Sequence, residues 1–243
     1  MTQFRASGAS GGTLSTILNV IENYKLSDLA QANDPFCLEF NAQPKTKRIV
    51  KKSLAQTLFG ARFVPGLGIL TSSPSEMCDI ATVYRSSTMM SEFYGQNFRT
   101  EMLVKVRSMF TCILIHVGFR ISLLALLIPP VRWLVKKFIY APGQGPTAEE
   151  GENDRVEYRG VAVADQPTSK PCRAFGTLSY ENGPYPLSGL LLAEAAMVLL
   201  KSERIGRDNF GGFLTPAVLG QEFVDRLNGV GVSIEARILK VDS

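Results

Sequence analysis

Residues 110–128 read FTCILIHVGFRISLLALLI, an unusually apolar run in this chain of 243 residues. A helix of this length is just long enough to cross a hydrocarbon layer of about 30 Å. His116 and Arg120 lie near the middle of the run, and a charge at the centre of a bilayer costs roughly 2.5 to 3.5 kcal/mol. This cost favours a helix that dips into one leaflet over a helix that crosses the membrane.

The flanks of the run are basic. No acidic residue occurs between Glu101 and Glu149, and that interval contains Lys105, Arg107, Arg120, Arg132, Lys136 and Lys137. Two prolines at 129–130 are predicted to end the helix, and Trp133 and Tyr140 add amphipathic rings. Apolar residues beside basic ones suit an element that lies at a membrane surface with its cations near anionic headgroups.

We therefore predict a hairpin-like or in-plane membrane element over residues 103–140. Its predicted membrane contacts are Leu114, Ile115, Phe119, Leu123, Leu124, Leu127, Trp133, Lys136 and Lys137. Two alternatives stay open at this point. The run could be a buried core helix followed by a basic surface helix, or a helix that spans the membrane.

Composition limits the other classes of function. The chain is 45% hydrophobic and 20% charged, which is typical of a globular protein, and its net charge of +4 does not indicate nucleic-acid binding. The four cysteines are far apart and His116 is the single histidine, so no metal site is predicted. No apolar signal segment follows Met1, which predicts an intracellular protein with reduced and mostly buried thiols.

Apolar periodicity predicts the first elements outside the run. Leu14, Ile17, Leu18 and Ile21 share one helical face, with Thr13 as the N-cap. Residues 33–68 are irregular in pattern, 75–91 are predicted to be helical, and 93–102 alternate as a strand does.

The second half mixes strands and helices. Residues 156–164 and 172–180 alternate like two paired strands, and 183–186 is predicted to be a turn. A buried helix over 187–200, a short strand at 211–216, a helix from Pro216 to Asn228 and a last strand over 233–241 follow.

These elements predict an α+β fold, with a mixed or antiparallel sheet covered by helices and a projecting apolar helical segment. We expect four parts along the chain. They are a first part of a folded domain at 1–102, the membrane-contact segment at 103–140, an acidic linker at 141–155, and a second part of that domain at 156–243.

A glycine-rich turn precedes the first predicted helix. Gly8, Gly11, Gly12 and Thr13 are candidates for binding a cofactor phosphate, because backbone N–H groups at a helix N-terminus bind anions. The pattern is not GxGxxG and no P-loop lysine follows, so a tight turn packed against the helix is the stronger interpretation.

Few side chains indicate catalysis. His116 lies inside the apolar run, where a packed ring bonded to backbone is the simpler interpretation. Glu194 lies in the apolar helix 187–200, where a carboxylate needs a partner. An ion pair with an arginine is the simpler interpretation, and a catalytic role is the alternative. Tyr84, Tyr94 and Tyr185 could donate protons, although such tyrosines usually serve packing.

Five blocks occur in order along the chain: SGGTLS at 10–15, VYRSS at 83–87 with YGQNF at 94–98, PGQGP at 142–146, GPY at 183–185 with LLAEAA at 191–196, and GGFLTPA at 211–217. Together they resemble the saccharopine-dehydrogenase-like oxidoreductases, a group that includes bacterial trans-acting enoyl reductases. The resemblance extends over nearly the whole chain. It rests on the ordered set, since no single block is specific.

The resemblance implies an NAD- or NADP-dependent enzyme whose dinucleotide-binding half would precede Met1. We therefore expect this chain to be the substrate-side part, to bind no cofactor by itself, and to be inactive alone. No catalytic residue carries over, and the candidate cleft residues are Tyr94, Asn97, Arg99 and Glu194. The resemblance also implies a lipid-like substrate and a role in glycolipid synthesis. The implied location is a lipid droplet or an organelle membrane.

Two further hypotheses compete with this one. The chain could be a non-enzymatic protein of a membrane or lipid-droplet surface, held by residues 110–140, or a truncated gene product. In the family architecture, residues 216–241 would pack on the nucleotide-binding half. Their exposure here predicts self-association.

Overall fold

The computed structural model describes residues 2–5, 8, 10–39, 50, 52–64, 67–73, 75–147, 149–168, 170–201 and 212–239. The chain divides into two compact units, each built from distant segments. The first holds Ser7–Tyr84 and Phe98–Gly151, and the second holds Thr2–Ala6, Arg85–Asn97 and Glu152–Ser243. The four-part division along the sequence stays a prediction.

The helices are α1 (Gly11–Asn23), α2 (Leu26–Ala32), α3 (Leu54–Phe59), α4 (Glu76–Met89), α5 (Ser91–Tyr94), α6 (Met109–Leu126), α7 (Pro129–Lys136), α8 (Pro184–Lys201), a 3-10 helix (Pro216–Leu219) and α9 (Gly220–Gly229). The strands are β1 (Thr2–Arg5), β2 (Arg62–Val64), β3 (Gly68–Ser72), β4 (Leu103–Lys105), β5 (Arg155–Val163), β6 (Arg173–Tyr180) and β7 (Ser233–Leu239).

The first unit combines helices with a small sheet. β2, β3 and β4 pair antiparallel, with Arg62 opposite Leu70 and Leu70 opposite Lys105. Ala61, Val106 and Cys112 form a core cluster against this sheet. A second cluster contains Phe36, Ile80 and Tyr84, with Phe98 and Met102 packed against it.

The second unit is an antiparallel sheet in the order β1-β5-β6-β7. Helices α8 and α9 cover one face of it. The core contains Val156, Tyr180, Leu187, Val198, Leu219, Phe223, Leu227 and Val232. Antiparallel sheets that carry helices confirm the predicted α+β class, and the paired strands predicted after residue 155 are β5 and β6.

The first helix forms where its apolar face predicts it, but its cap is different. Ser10 is the N-cap, because its side-chain oxygen accepts a hydrogen bond from the backbone N–H of Thr13. Thr13, the predicted cap, lies three residues later in the first turn.

The strand predicted over residues 93–102 is wrong. Ser91–Tyr94 forms a short helix, and Gly95 ends it with a positive φ of 72°, which glycine adopts without strain. The side chain of Phe93 is 82% exposed. Alternation of aromatic and polar residues therefore does not reflect a half-buried strand here, and β4 begins only at Leu103.

Helix α8 also differs from its prediction. It begins at Pro184, directly after Gly183, so the predicted turn at 183–186 is mostly helix. It is not buried all round, since Leu192 remains 73% exposed. The strand predicted at 211–216 is absent over its described residues, 212–216. The last strand is confirmed as far as Leu239, with residues 240 and 241 outside the described part.

Candidate functional site

The glycine turn at the start of α1 packs tightly against a later segment of the same unit. The N–H of Gly11 donates a hydrogen bond to the carbonyl oxygen of Gln144, at 2.9 Å. A Cβ at Gly11 would lie 2.1 Å from the carbonyl oxygen of Ala141 and 2.3 Å from that of Tyr140. Only glycine allows this backbone to come so close.

Neighbouring residues extend the same contact. A Cβ at Gly145 would lie 3.3 Å from Cβ of Ser10, and a Cβ at Gly8 would lie 3.4 Å from Cγ of Pro146. Two of the sequence blocks, 10–15 and 142–146, therefore pack on one another. They are 127 residues apart, counted from the end of the first block to the start of the second.

This packing explains the glycines of the turn, and no bound ligand is needed to explain them. The N–H groups of Gly11 and Thr13, which would have to face a phosphate, are bonded to Gln144 and Ser10. Gly12 is different, because a Cβ there would meet only Oγ of Ser10, at 3.7 Å. Phosphate binding at Gly8, Gly11, Gly12 and Thr13 stays a prediction, and the geometry favours the tight-turn interpretation.

The apolar run forms α6, which α7 follows after a corner at Pro129. Residues 109–138 are called the α6–α7 arm below. Helix α6 is long and apolar enough to cross a membrane, and only 11% of it is buried. Its buried residues are Cys112 and His116. A buried core helix, one of the alternatives above, does not fit this exposure.

The base of the arm packs on α3 and β3. The Sγ atom of Cys112 lies 3.6 Å from the carbonyl oxygen of Phe59. The ring of His116 lies beneath Gly60, where a Cβ would come within 2.3 Å of Nδ1. Burial lowers the pKa of His116 and the charge of Arg120 lowers it further, while the nearby backbone of Thr57 acts in the opposite direction. His116 thus serves packing in this structure.

Arg132 holds the corner between the two helices. Its NH1 group donates hydrogen bonds to the carbonyl oxygens of Leu126, at 2.8 Å, and Leu127, at 2.9 Å. These are carbonyls at the C-terminus of α6, where a cation is favourable. Pro129 starts α7 at a position that needs no N–H donor.

Glu22 ties the arm to α1. Its carboxylate accepts hydrogen bonds from Nζ of Lys136 at 2.8 and 2.9 Å and lies 3.5 Å from Nε of Arg132. The hydrogen bond from Lys136 lowers the pKa of the Glu22 carboxyl, and the charge of Arg132 lowers it further. Glu22 was not among the predicted site residues, because it lies 114 positions before Lys136 and no local pattern links the two.

Most predicted membrane contacts are exposed apolar side chains: Leu114, Phe119, Leu123, Leu124, Leu127 and Trp133. Ile115 differs, since it packs partly against the Ala61–Val106–Cys112 cluster. Lys136 is bound to Glu22, and Nζ of Lys137 lies 3.6 Å above the ring of Trp133. Phe110, Ile121 and Phe138 are exposed as well, although they were not among the predicted contacts.

The four candidate cleft residues differ in their partners and in their exposure. The side-chain amide of Asn97 donates to a carboxylate oxygen of Asp165 at 2.9 Å. Glu194 forms an ion pair with Arg226 on α9, at 2.6 Å. An arginine partner is what the simpler interpretation of this carboxylate predicted. Tyr94 is half-buried and Arg99 exposed. Their role as substrate contacts stays a prediction.

The remaining candidates serve packing or face solvent. Tyr84 is buried, with its ring centroid 4.5 Å from that of Phe36, and Tyr185 is exposed on α8. The four cysteines are free thiols, but the prediction that most are buried is wrong. Cys112 alone is buried, while Cys37, Cys78 and Cys172 are exposed.

Fold and site together define an α+β chain with a largely exposed apolar arm. In sequence it is similar to "Putative trans-acting enoyl reductase Rv2449c" and "Putative trans-acting enoyl reductase MT2525", from two strains of Mycobacterium tuberculosis. Identity is 27% in each case, over 94% of this chain and 56% of the relative's length. The chain thus spans little more than half of these distant relatives. No protein-family profile and no solved structure matches it.

Proposed function

We propose that this chain is the substrate-side part of an NAD(P)-dependent oxidoreductase that acts on lipid-like substrates. The carrying observation is the similarity along 94% of the chain to proteins named as trans-acting enoyl reductases. The finer assignment to the saccharopine-dehydrogenase-like group is part of the proposal, and the five sequence blocks support it.

The reaction proposed for the whole enzyme is reduction of a carbon–carbon double bond next to a carbonyl group. This reduction adds a hydride at the β-carbon and a proton at the α-carbon. NADPH or NADH would supply the hydride when bound to the whole enzyme, and would leave as NADP or NAD. The packed turn at Gly11 supports the view that this chain does not hold the cofactor phosphates itself.

The α6–α7 arm supports a lipid-like substrate. Its exposed apolar side chains provide a surface to which a long acyl chain or a membrane that contains one can bind. Placement at a lipid droplet or an organelle membrane, within glycolipid metabolism, belongs to the same proposal.

Binding measurements on the purified chain test this function. We expect saturable binding of a long-chain enoyl thioester, weakening on the order of fourfold for each methylene removed from the chain. NADPH, followed by nucleotide fluorescence, should not bind even at millimolar concentration. Micromolar NADPH binding would place a cofactor site in this chain, and absence of thioester binding would contradict a substrate-side role.

The second candidate function is that of a non-enzymatic protein of a membrane or lipid-droplet surface. The observation that favours it is the exposure of α6 beside the cations of α7. Because Trp133 is the single tryptophan, its emission reports on the arm alone. We expect a blue shift of this emission and flotation with vesicles that contain anionic lipid.

Neutralising Lys136 and Lys137 with glutamine should weaken vesicle binding roughly tenfold, because each exposed cation near an anionic surface contributes about 1 kcal/mol and Lys136 is already paired. Glutamine retains a donor for Glu22. Lys170→Gln with Lys201→Gln removes the same charge in the second unit and should leave flotation unchanged. Equal flotation of both double variants would argue against a surface role of the arm.

A further inference from the structure

Within the described part of the chain, strand β7 is the outer strand of the sheet in the second unit. It pairs with β6 on one side, from Ser179 opposite Ser233 to Arg173 opposite Leu239, and it ends the strand order on the other side. An outer strand presents a row of backbone donors and acceptors that another strand can pair with.

The backbone of β7 shows which groups face outward. The N–H of Ile234 donates to Oδ1 of Asn228 at 2.8 Å, and Nδ2 of Asn228 donates to the carbonyl oxygen of Ile234 at 3.4 Å. Both groups of Ile234 therefore point away from β6. Since this direction alternates along a strand, the N–H and C=O groups of Ala236 and Ile238 point outward as well.

The side chains of β7 are symmetric about Ala236. The strand reads Ser-Ile-Glu-Ala-Arg-Ile-Leu, with Glu235 and Arg237 on either side of Ala236 and isoleucines at 234 and 238. If two copies of the strand lie antiparallel with Ala236 opposite Ala236, each Glu235 lies opposite an Arg237. Each Ile234 then lies opposite an Ile238. Directly opposite pairs of this kind stabilise a sheet.

The neighbouring alignments are unfavourable. Centring the pair on residue 235 places two glutamates opposite each other, and centring it on 237 does the same with two arginines. The charges of β7 therefore select one register as well as one partner, which is a second copy of the same strand.

The same register completes the core. Ile234 packs against the cluster that contains Leu227 and Val232, while Ile238 is 73% exposed at the other end of the strand. Pairing places Ile238 of each copy beside Ile234 of the other, next to that cluster. It also supplies Ile234 with the backbone partner that Asn228 now provides.

We propose that β7 forms a two-fold antiparallel pair with β7 of a second copy, centred on Ala236, so that two sheets join into one. The inference stands on the second unit alone and does not depend on the proposed enzymatic function. It gives the predicted self-association a defined surface and register.

Charge exchange tests this pairing in the full chain. Glu235→Arg alone and Arg237→Glu alone each replace two attractive pairs with two repulsive ones. We expect each to raise the dimer dissociation constant by on the order of tenfold or more. The double exchange Glu235→Arg with Arg237→Glu restores opposite charges and should restore the wild-type constant. Sedimentation equilibrium in a density-matched mild detergent measures it without association through the arm.

Mixing the two single variants gives the sharpest result. Neither should associate with itself, but an equimolar mixture should form a heterodimer, because each strand then meets its opposite charge. Unchanged thermal unfolding of each variant would show that the fold is intact. A monomeric wild-type chain, single variants that associate like the wild type, or a mixture that stays monomeric would each overturn the proposal.

Discussion

Replacing Gly11 with alanine is expected to lower the free energy of unfolding of the first unit by about 3 kcal/mol, the upper range for forcing extra atoms into a packed site. The new methyl group would lie 2.1 Å from the carbonyl oxygen of Ala141, and backbone atoms cannot turn aside as a flexible side chain can. Either α1 or the crossing segment at 140–144 must move, and the hydrogen bond from Gly11 to Gln144 is then lost.

Gly12→Ala is the matched control for this substitution. It adds the same methyl group one residue later, where the closest atom is Oγ of Ser10 at 3.7 Å. Alanine should leave stability unchanged or raise it by up to about 1 kcal/mol, because glycine loses more freedom in a helix. Urea unfolding followed by circular dichroism compares the stability of the two variants with that of the unaltered chain. Equal midpoints for the two variants would contradict the close approach at Gly11.

Replacing Arg226 with alanine should lower the free energy of unfolding of the second unit by about 2 kcal/mol. Removing one partner of a buried ion pair typically costs about 3 to 5 kcal/mol, and this pair is partly open to water, which lowers the expected value. The side chain of Glu194 is 13% exposed and that of Arg226 27% exposed, so the loss leaves a carboxylate poorly hydrated. Thermal unfolding followed by circular dichroism measures the effect.

Removing both charges gives the control. A variant with Glu194→Leu and Arg226→Met keeps the side-chain volume between α8 and α9 and leaves no unpaired charge, so most of the lost stability should return. If the double variant is as unstable as Arg226→Ala alone, the loss comes from packing of the arginine stem and not from the stranded carboxylate.

The spacing of apolar residues in the sequence was sufficient to predict much of the fold. Helices α1 and α4 and strands β5, β6 and β7 form where the apolar spacing of the sequence predicts them. The pattern failed where burial does not follow from spacing. Phe93 alternates with polar residues but faces solvent, and α8 is apolar on a side that the second unit leaves uncovered.

The candidate site was predicted less well, for reasons of distance along the chain. The glycines at 11 and 145 were visible, but their purpose is a contact between segments that are far apart in sequence. The partner of Lys136 is likewise remote, and Glu22 has no distinguishing neighbours. Ion pairs and close approaches of this kind depend on the completed fold, which residue spacing cannot supply.

The pairing of β1 with β5 has a consequence for synthesis. Thr2 lies opposite Tyr158 in this sheet, and the stretch between them forms most of the first unit. At a ribosome that adds roughly 5 to 20 residues per second, β5 is synthesised roughly 8 to 30 s after β1. The apolar arm is synthesised within that interval, before β1 and β5 can pair. A chaperone or a membrane that meets the nascent chain therefore encounters the arm before β1 and β5 are paired.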